Sequence, residues 1–198
     1  GVKAGIKKSG NLDVAVIYTK TQAVVAGTFT QNKVAAAPVY VSKEVVATGT
    51  AHAIVANAGC ANACTGQQGL DDAHKMAQIA ADELGVNADD VIVGSTGVIG
   101  VNLPMDKLEA GIKDAVANLS ADGSGNAGRA IITTDTHSKS VTCEFELSGK
   151  TVRMGAIAKG SGMIRPNMAT MLCYITTDIA IDQALLQKAV SGCVEKSF

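Results

Sequence analysis

The sequence predicts an α+β fold, a layered sandwich of mixed β-sheets and helices. Two observations carry that prediction: β-prone runs pair up around short breaks, and amphipathic stretches at helical spacing lie between them without strict strand–helix alternation. No internal repeat is visible.

Residues 13–18 and 23–29 are short β-prone runs on either side of Thr19-Lys20-Thr21-Gln22, which reads as an opening hairpin. A third run, 52–57, leads into 57–66, where Gly59, Gly66 and several alanines suggest closely apposed backbone. Over 71–84, Met76, Ile79, Ala80 and Leu84 recur at helical spacing, with acidic residues at the start and Gly85 just past the end. Val91-Ile92-Val93 reads as a buried strand feeding a Gly-rich turn, Gly94-Ser95-Thr96-Gly97-Val98-Ile99-Gly100. Pro104 then opens a helix carrying Leu108, Ile112, Val116 and Leu119. A strand, a Gly-rich turn and a helix in that order commonly aim backbone N–H groups at an anion.

A loop is expected over 120–128, followed by a second hairpin, 141–147 and 151–157, around Ser148-Gly149-Lys150. A strand at 171–175 precedes a helix from about Asp182, with Leu185, Leu186 and Val190 on one face. The helical stripes are read as core packing. Neither chain end carries an obvious terminal signal: Gly1 is not an initiator Met, and Phe198 follows Ser197 without a cap. The chain is therefore expected to be incomplete at its C-terminus.

Composition narrows the function. The 198 residues hold 17 Lys+Arg against 18 Asp+Glu, with 3% aromatic residues and no polybasic run, which offers nucleic acid neither a groove nor a stacking platform. No apolar stretch approaches the roughly 20 residues of a membrane span, and no signal-peptide core is present, so a cytoplasmic protein is expected. The five cysteines are odd in number and scattered, which favours reduced thiols over a disulfide framework. Cys60, Cys64 and His74 match no zinc spacing and lack a fourth ligand, so no metal is expected.

The chemistry-bearing stretch is 158–172, which includes Lys159-Gly160-Ser161-Gly162 and then Arg165-Pro166-Asn167-Met168-Ala169-Thr170. Its glycines, proline and asparagine suit an irregular backbone, and a β-prone run follows, so a turn delivers Thr170 at the start of a strand. On those grounds alone, a threonine at such a place is usually only β-compatible filler.

This segment, with Thr176-Thr177-Asp178 after it, resembles the self-cleavage motif of the glutamate N-acetyltransferase/ornithine acetyltransferase family. The resemblance runs the length of the chain, through Gly5-Ile6-Lys7, residues 57–66, Ser95 to Gly100 and Thr133-Thr134-Asp135-Thr136. It implies the DmpA/ornithine acetyltransferase-like fold, similar to that of N-terminal-nucleophile enzymes. It also implies a break between Ala169 and Thr170, with 1–169 as an α-chain region and 170–198 as the start of a β chain led by the nucleophile Thr170.

A threonine hydroxyl needs a base, and a newly freed α-amine on the same residue can serve, with a pKa of about 7.7 to 8.0. By the same resemblance Thr96 and Gly97 form the oxyanion hole, while Thr133, Lys159 and Thr170 bind substrate. The implied reaction moves acetyl from N-acetylornithine to glutamate in arginine biosynthesis through an acetyl-threonine, without a cofactor. Acetyl-CoA is an additional donor in some members. The implied partner is the protein's own C-terminal β chain, in a hetero-oligomer such as a heterotetramer. An N-terminal-nucleophile aminopeptidase or amidase is the rival enzyme. A nucleotide-binding module is disfavoured because Gly94 to Gly100 has neither the P-loop ending nor Gly-x-Gly-x-x-Gly spacing.

Overall fold

In the computed structural model, residues 1–161 and 171–197 are described. Among these residues, two three-stranded sheets and five α-helices form the layers. The first sheet holds β1 (Val14–Val24), β2 (Thr50–Cys60) and β3 (Val91–Val98), in that order. β1 pairs antiparallel with β2, and β2 pairs parallel with β3. The second sheet is an antiparallel meander of β4 (Lys139–Leu147), β5 (Lys150–Lys159) and β6 (Leu172–Thr177).

Alternation along β1 sorts its side chains between two cores. Val14 and Val16 join Val55, Val91 and Val93 on one face. There they meet α1 (Ala37–Thr48), α2 (Gly66–Leu84) and α3 (Met105–Ala117) through Val41, Met76, Leu108 and Ile112. Ala15 and Ala56 on the other face meet α4 (Ser124–Ile131) through Ala127, Ala130 and Ile131. Ile157 of β5 and Tyr174 of β6 complete this smaller core, which joins the two sheets. The layered α+β sandwich predicted from the sequence is the architecture observed.

Several elements differ from the sequence reading. Residues 13–29 do not turn back as a hairpin. β1 runs through Thr19 to Gln22 with a register shift between Tyr18 and Ala23, because the break holds two β-branched threonines and no Gly or Pro. α2 starts five residues ahead of the acidic pair, so Asp71 and Asp72 lie inside it. The expected loop at 120–128 contains the start of α4.

The helix α1 carries no amphipathic signal strong enough to read. Pro38 near its start and left-handed Gly49 (φ 91°) at its end bound it. The Ser42 hydroxyl of α1 donates to the Val93 carbonyl at 2.6 Å and accepts from the Val93 N–H at 3.0 Å, satisfying the edge of β3. The second hairpin matches expectation: Ser148 (φ 50°) and Gly149 (φ 73°) supply the two positive φ values of a tight turn. The last helix, α5 (Gln183–Ser197), is capped by Asp182, whose carboxylate accepts from the Leu185 N–H at 2.7 Å. Its apolar stripe does not pack as a core stripe, since no described residue of α5 is buried.

Candidate functional site

Thr96 and Gly97 do not sit in a turn before a helix. They lie near the end of β3, still paired with β2, and α3 begins only at Met105. The dipole of α3 therefore does not explain this element. A bulge does: β2 and β3 lose register between Gly59 and Cys60, opposite Thr96 to Val98.

Gly97 has φ 136°, and a Cβ there would lie 2.3 Å from the Gly59 carbonyl carbon, so only glycine fits. Beneath it, fully buried Asn57 accepts from the Ser95 hydroxyl at 2.6 Å and donates to the Cys60 carbonyl at 3.0 Å, fixing the bulge from below. The N-terminal segment covers the same spot, because Ile6 touches the face where Gly59 has no side chain. That segment is itself gathered by Asp13, whose carboxylate accepts from the N–H groups of Ala4, Ile6 and Lys7 at 2.6 to 2.9 Å.

Lys159, the last residue of β5, reaches across from the second sheet. Its side chain is buried, and its ammonium donates to Thr96 Oγ1 at 3.0 Å. Burial lowers the Lys159 pKa, Asp135 opposes that, and Lys139 adds to it. Register places Leu172, the first residue of β6, directly opposite Lys159. Gly160 lies against the Met171 side chain, 3.4 Å from the position of a Cβ.

Thr133 follows α4 in the loop before β4, which also carries Asp135. Its N–H donates to Asp135 Oδ2 at 3.3 Å, and the Gly160 N–H donates to Asp135 Oδ1 at 2.9 Å. The Lys139 ammonium also bonds Asp135. Thr96, Lys159, Gly160, Asp135 and Thr133 therefore form one connected set, with Gly97 next to Thr96. Ala169 and Thr170 lie outside the described residues. Thr96, Gly97, Met171 and Leu172 border an open, largely apolar groove between the sheets. Cys60, Cys64 and His74 make no metal centre, and no cluster of metal-ligating side chains occurs among the described residues. Nor is any helix among them long and apolar enough to cross a membrane.

Sequence reading missed Asp135 as more than part of a motif. It also missed Asn57 and Lys139. A lone Asp in a polar loop gives no sign that it will be buried, and its partners come from separate elements.

The ArgJ family model matches residues 1–198. The arginine biosynthesis bifunctional protein ArgJ of Symbiobacterium thermophilum is 49% identical over all of this chain and 50% of its own length. The glutamate N-acetyltransferase of Methanocaldococcus jannaschii is 48% identical, again over the whole chain and 50% of its own length. The chain thus spans about half the length of the curated relatives it matches.

Among solved structures, ArgJ of Bacillus halodurans superposes with a TM-score of 0.79 at 41% identity, covering 87% of this chain and 88% of that one. Ornithine acetyltransferase of Mycobacterium tuberculosis, complexed with ornithine, gives 0.76 at 38% identity, covering 87% and 90%. With the family model matched from the first residue to the last, the chain belongs to the ArgJ family.

Proposed function

We propose that this chain is the N-terminal part of an acetyltransferase of arginine biosynthesis that moves acetyl from N-acetylornithine to glutamate. The observation that carries the reading is the buried hydrogen bond from Lys159 to Thr96 Oγ1. An ammonium only donates, so Thr96 accepts through its oxygen, and its own hydroxyl proton is left to be donated elsewhere. The charged donor also polarises that O–H. With the Gly97 N–H, the Thr96 hydroxyl forms the pair of donors that a tetrahedral acyl intermediate needs in place before charge develops.

On this reading the chain breaks itself between Ala169 and Thr170. The new α-amine takes the Thr170 hydroxyl proton as the oxygen attacks the acetyl carbonyl, and it passes that proton to the departing ornithine amine. Glutamate's amine then attacks the acetyl ester. N-acetylglutamate leaves, and Thr170 regains its proton. Lys159 and Thr133 hold the substrate beside Thr170, and Lys159 supplies positive charge toward a substrate carboxylate. No cofactor takes part, and acetyl-CoA would enter as a second donor to the same hydroxyl. The α and β parts stay together in a hetero-oligomer in the cytoplasm. Support comes from the family membership and from the pairing of Lys159 with Leu172, two residues beyond Thr170 in sequence.

The test is a partition measurement on the full-length enzyme supplied with N-acetylornithine and glutamate. Formation of N-acetylglutamate in step with ornithine release supports the transferase. Free acetate in place of N-acetylglutamate would assign the chain to the amidase class.

A further inference from the structure

We propose that Asp135 is a positioning residue for this site, holding Thr133 and the Lys159–Gly160 backbone in one geometry and so fixing where Lys159 meets Thr96; this rests on the transferase reading above. The Asp135 side chain has no exposed surface. Its three bonding partners come from different segments: Thr133 N–H from the loop after α4, the Lys139 ammonium from β4, and Gly160 N–H from the end of β5. Gly160 adjoins Lys159, so the bond to its N–H anchors the backbone just past the residue whose side chain reaches Thr96.

Charge gives the carboxylate a second role. Three ammonium groups sense it: Lys139 on β4, Lys159 on β5 and Lys7 in the N-terminal segment. Lys7 is tied down by the Leu12 and Ala130 carbonyls at 2.5 and 3.0 Å and also faces Asp13. Without Asp135 these like charges lose a shared counter-charge, and the ammonium that serves Thr96 loses an attraction that keeps it protonated. Asn in its place cannot restore the site. One amide oxygen replaces two carboxylate oxygens, and the NH₂ group meets a donor at either Thr133 or Gly160.

The experiment compares full-length wild type, Asp135→Asn and Lys139→Gln in acetyl transfer across pH, at a temperature where circular dichroism shows each fully folded. Asp135→Asn is expected to lower kcat about 10²-fold, the scale of a displaced catalytic group. Its alkaline limb, where Lys159 loses its proton, moves to lower pH. Lys139→Gln removes a repelling charge, which moves that limb to higher pH whatever Asp135 does. It also removes one of the three contacts that hold Asp135, so a fall in kcat at the pH optimum carries the test if Asp135→Asn does not fold. Unchanged kcat at the optimum in the folded variants would overturn the positioning role while wild type still transfers acetyl. A wild type that transfers no acetyl would overturn the reading beneath it, and the role with it.

Discussion

The Lys159 ammonium of one sheet donates at 3.0 Å to the Thr96 hydroxyl oxygen of the other, in a contact hidden from solvent. This joins the end of β5 to the strand that carries Gly97, and it sets the direction in which Thr96 can donate. Thr96→Val should therefore remove one oxyanion donor while keeping the side chain's shape. The expected loss is about 10²- to 10³-fold in kcat with little change in substrate affinity. Thr96→Ser, which keeps the hydroxyl, should recover most of it. Steady-state kinetics of the two variants decide the matter, and equal activity of Thr96→Val and wild type would remove Thr96 from the chemistry.

Gly97→Ala forces a Cβ to within 2.3 Å of the Gly59 carbonyl carbon, at a φ that side chains rarely adopt. Backbone strain alone costs about 1 to 3 kcal/mol, and the contact with fixed backbone adds to it. A lowered unfolding midpoint, or failure to accumulate as soluble protein, is expected. A variant as stable as wild type would contradict the described bulge.

Tyr174 and Gly94 make a paired prediction. The Tyr174 hydroxyl is buried without a hydrogen-bond partner among the described residues, and it lies 2.1 Å from where a Gly94 Cβ would stand. Its pKa is pushed up, because burial disfavours the phenolate. Tyr174→Phe removes an unsatisfied polar group and should be neutral or stabilising by roughly 1 kcal/mol. Gly94→Ala alone should destabilise, and Tyr174→Phe should rescue it, since the ring carbon beneath the hydroxyl is 3.4 Å from the same position. A double-mutant cycle by denaturant unfolding measures the coupling, and additive effects would refute the contact.

These contacts mark the limit of what the sequence makes legible. The Ser148-Gly149 turn and the stop at Gly85 are local, since a positive φ at each requires particular residues there. By contrast, α4 contains Gly125, Asn126 and Gly128, which are poor helix formers. It forms because Ala127, Ala130 and Ile131 pack between the sheets and Lys7 binds the Ala130 carbonyl. In α1, Val39, Val41, Val45 and Val46 look β-prone, and burial against the first sheet overrides that preference. Within the site, Thr96 and Gly97 were legible as a Gly-rich element. The meeting of Thr96 with Lys159 was not, because 63 residues of chain separate them and only the sandwich brings them together.

Acid stability should carry the signature of Asp135. Burial raises its pKa, but the Lys139 ammonium and the Gly160 and Thr133 N–H groups outweigh that and hold it at about 2, against an ordinary 3.8. A carboxylate whose folded pKa is depressed stabilises the fold above its unfolded pKa and loses that contribution as pH falls through the folded value. The contribution, about 2 kcal/mol, should be complete above pH ~5 and gone near pH ~1. Denaturant midpoints of wild type and Asp135→Asn should differ at pH 6 and converge at the acid end. A difference that persists at the acid end would contradict it.

On the proposed mechanism, Thr170 carries the acetyl group once the bond before it has been cut. Intact mass and N-terminal sequencing of the full-length protein, purified and mixed briefly with N-acetylornithine, read both events. A fragment beginning Thr-Met-Leu-Cys should gain one acetyl group on its first residue and lose it when glutamate is added. An uncut protein that still transfers acetyl, or a cut one that never carries the group, would rule the mechanism out.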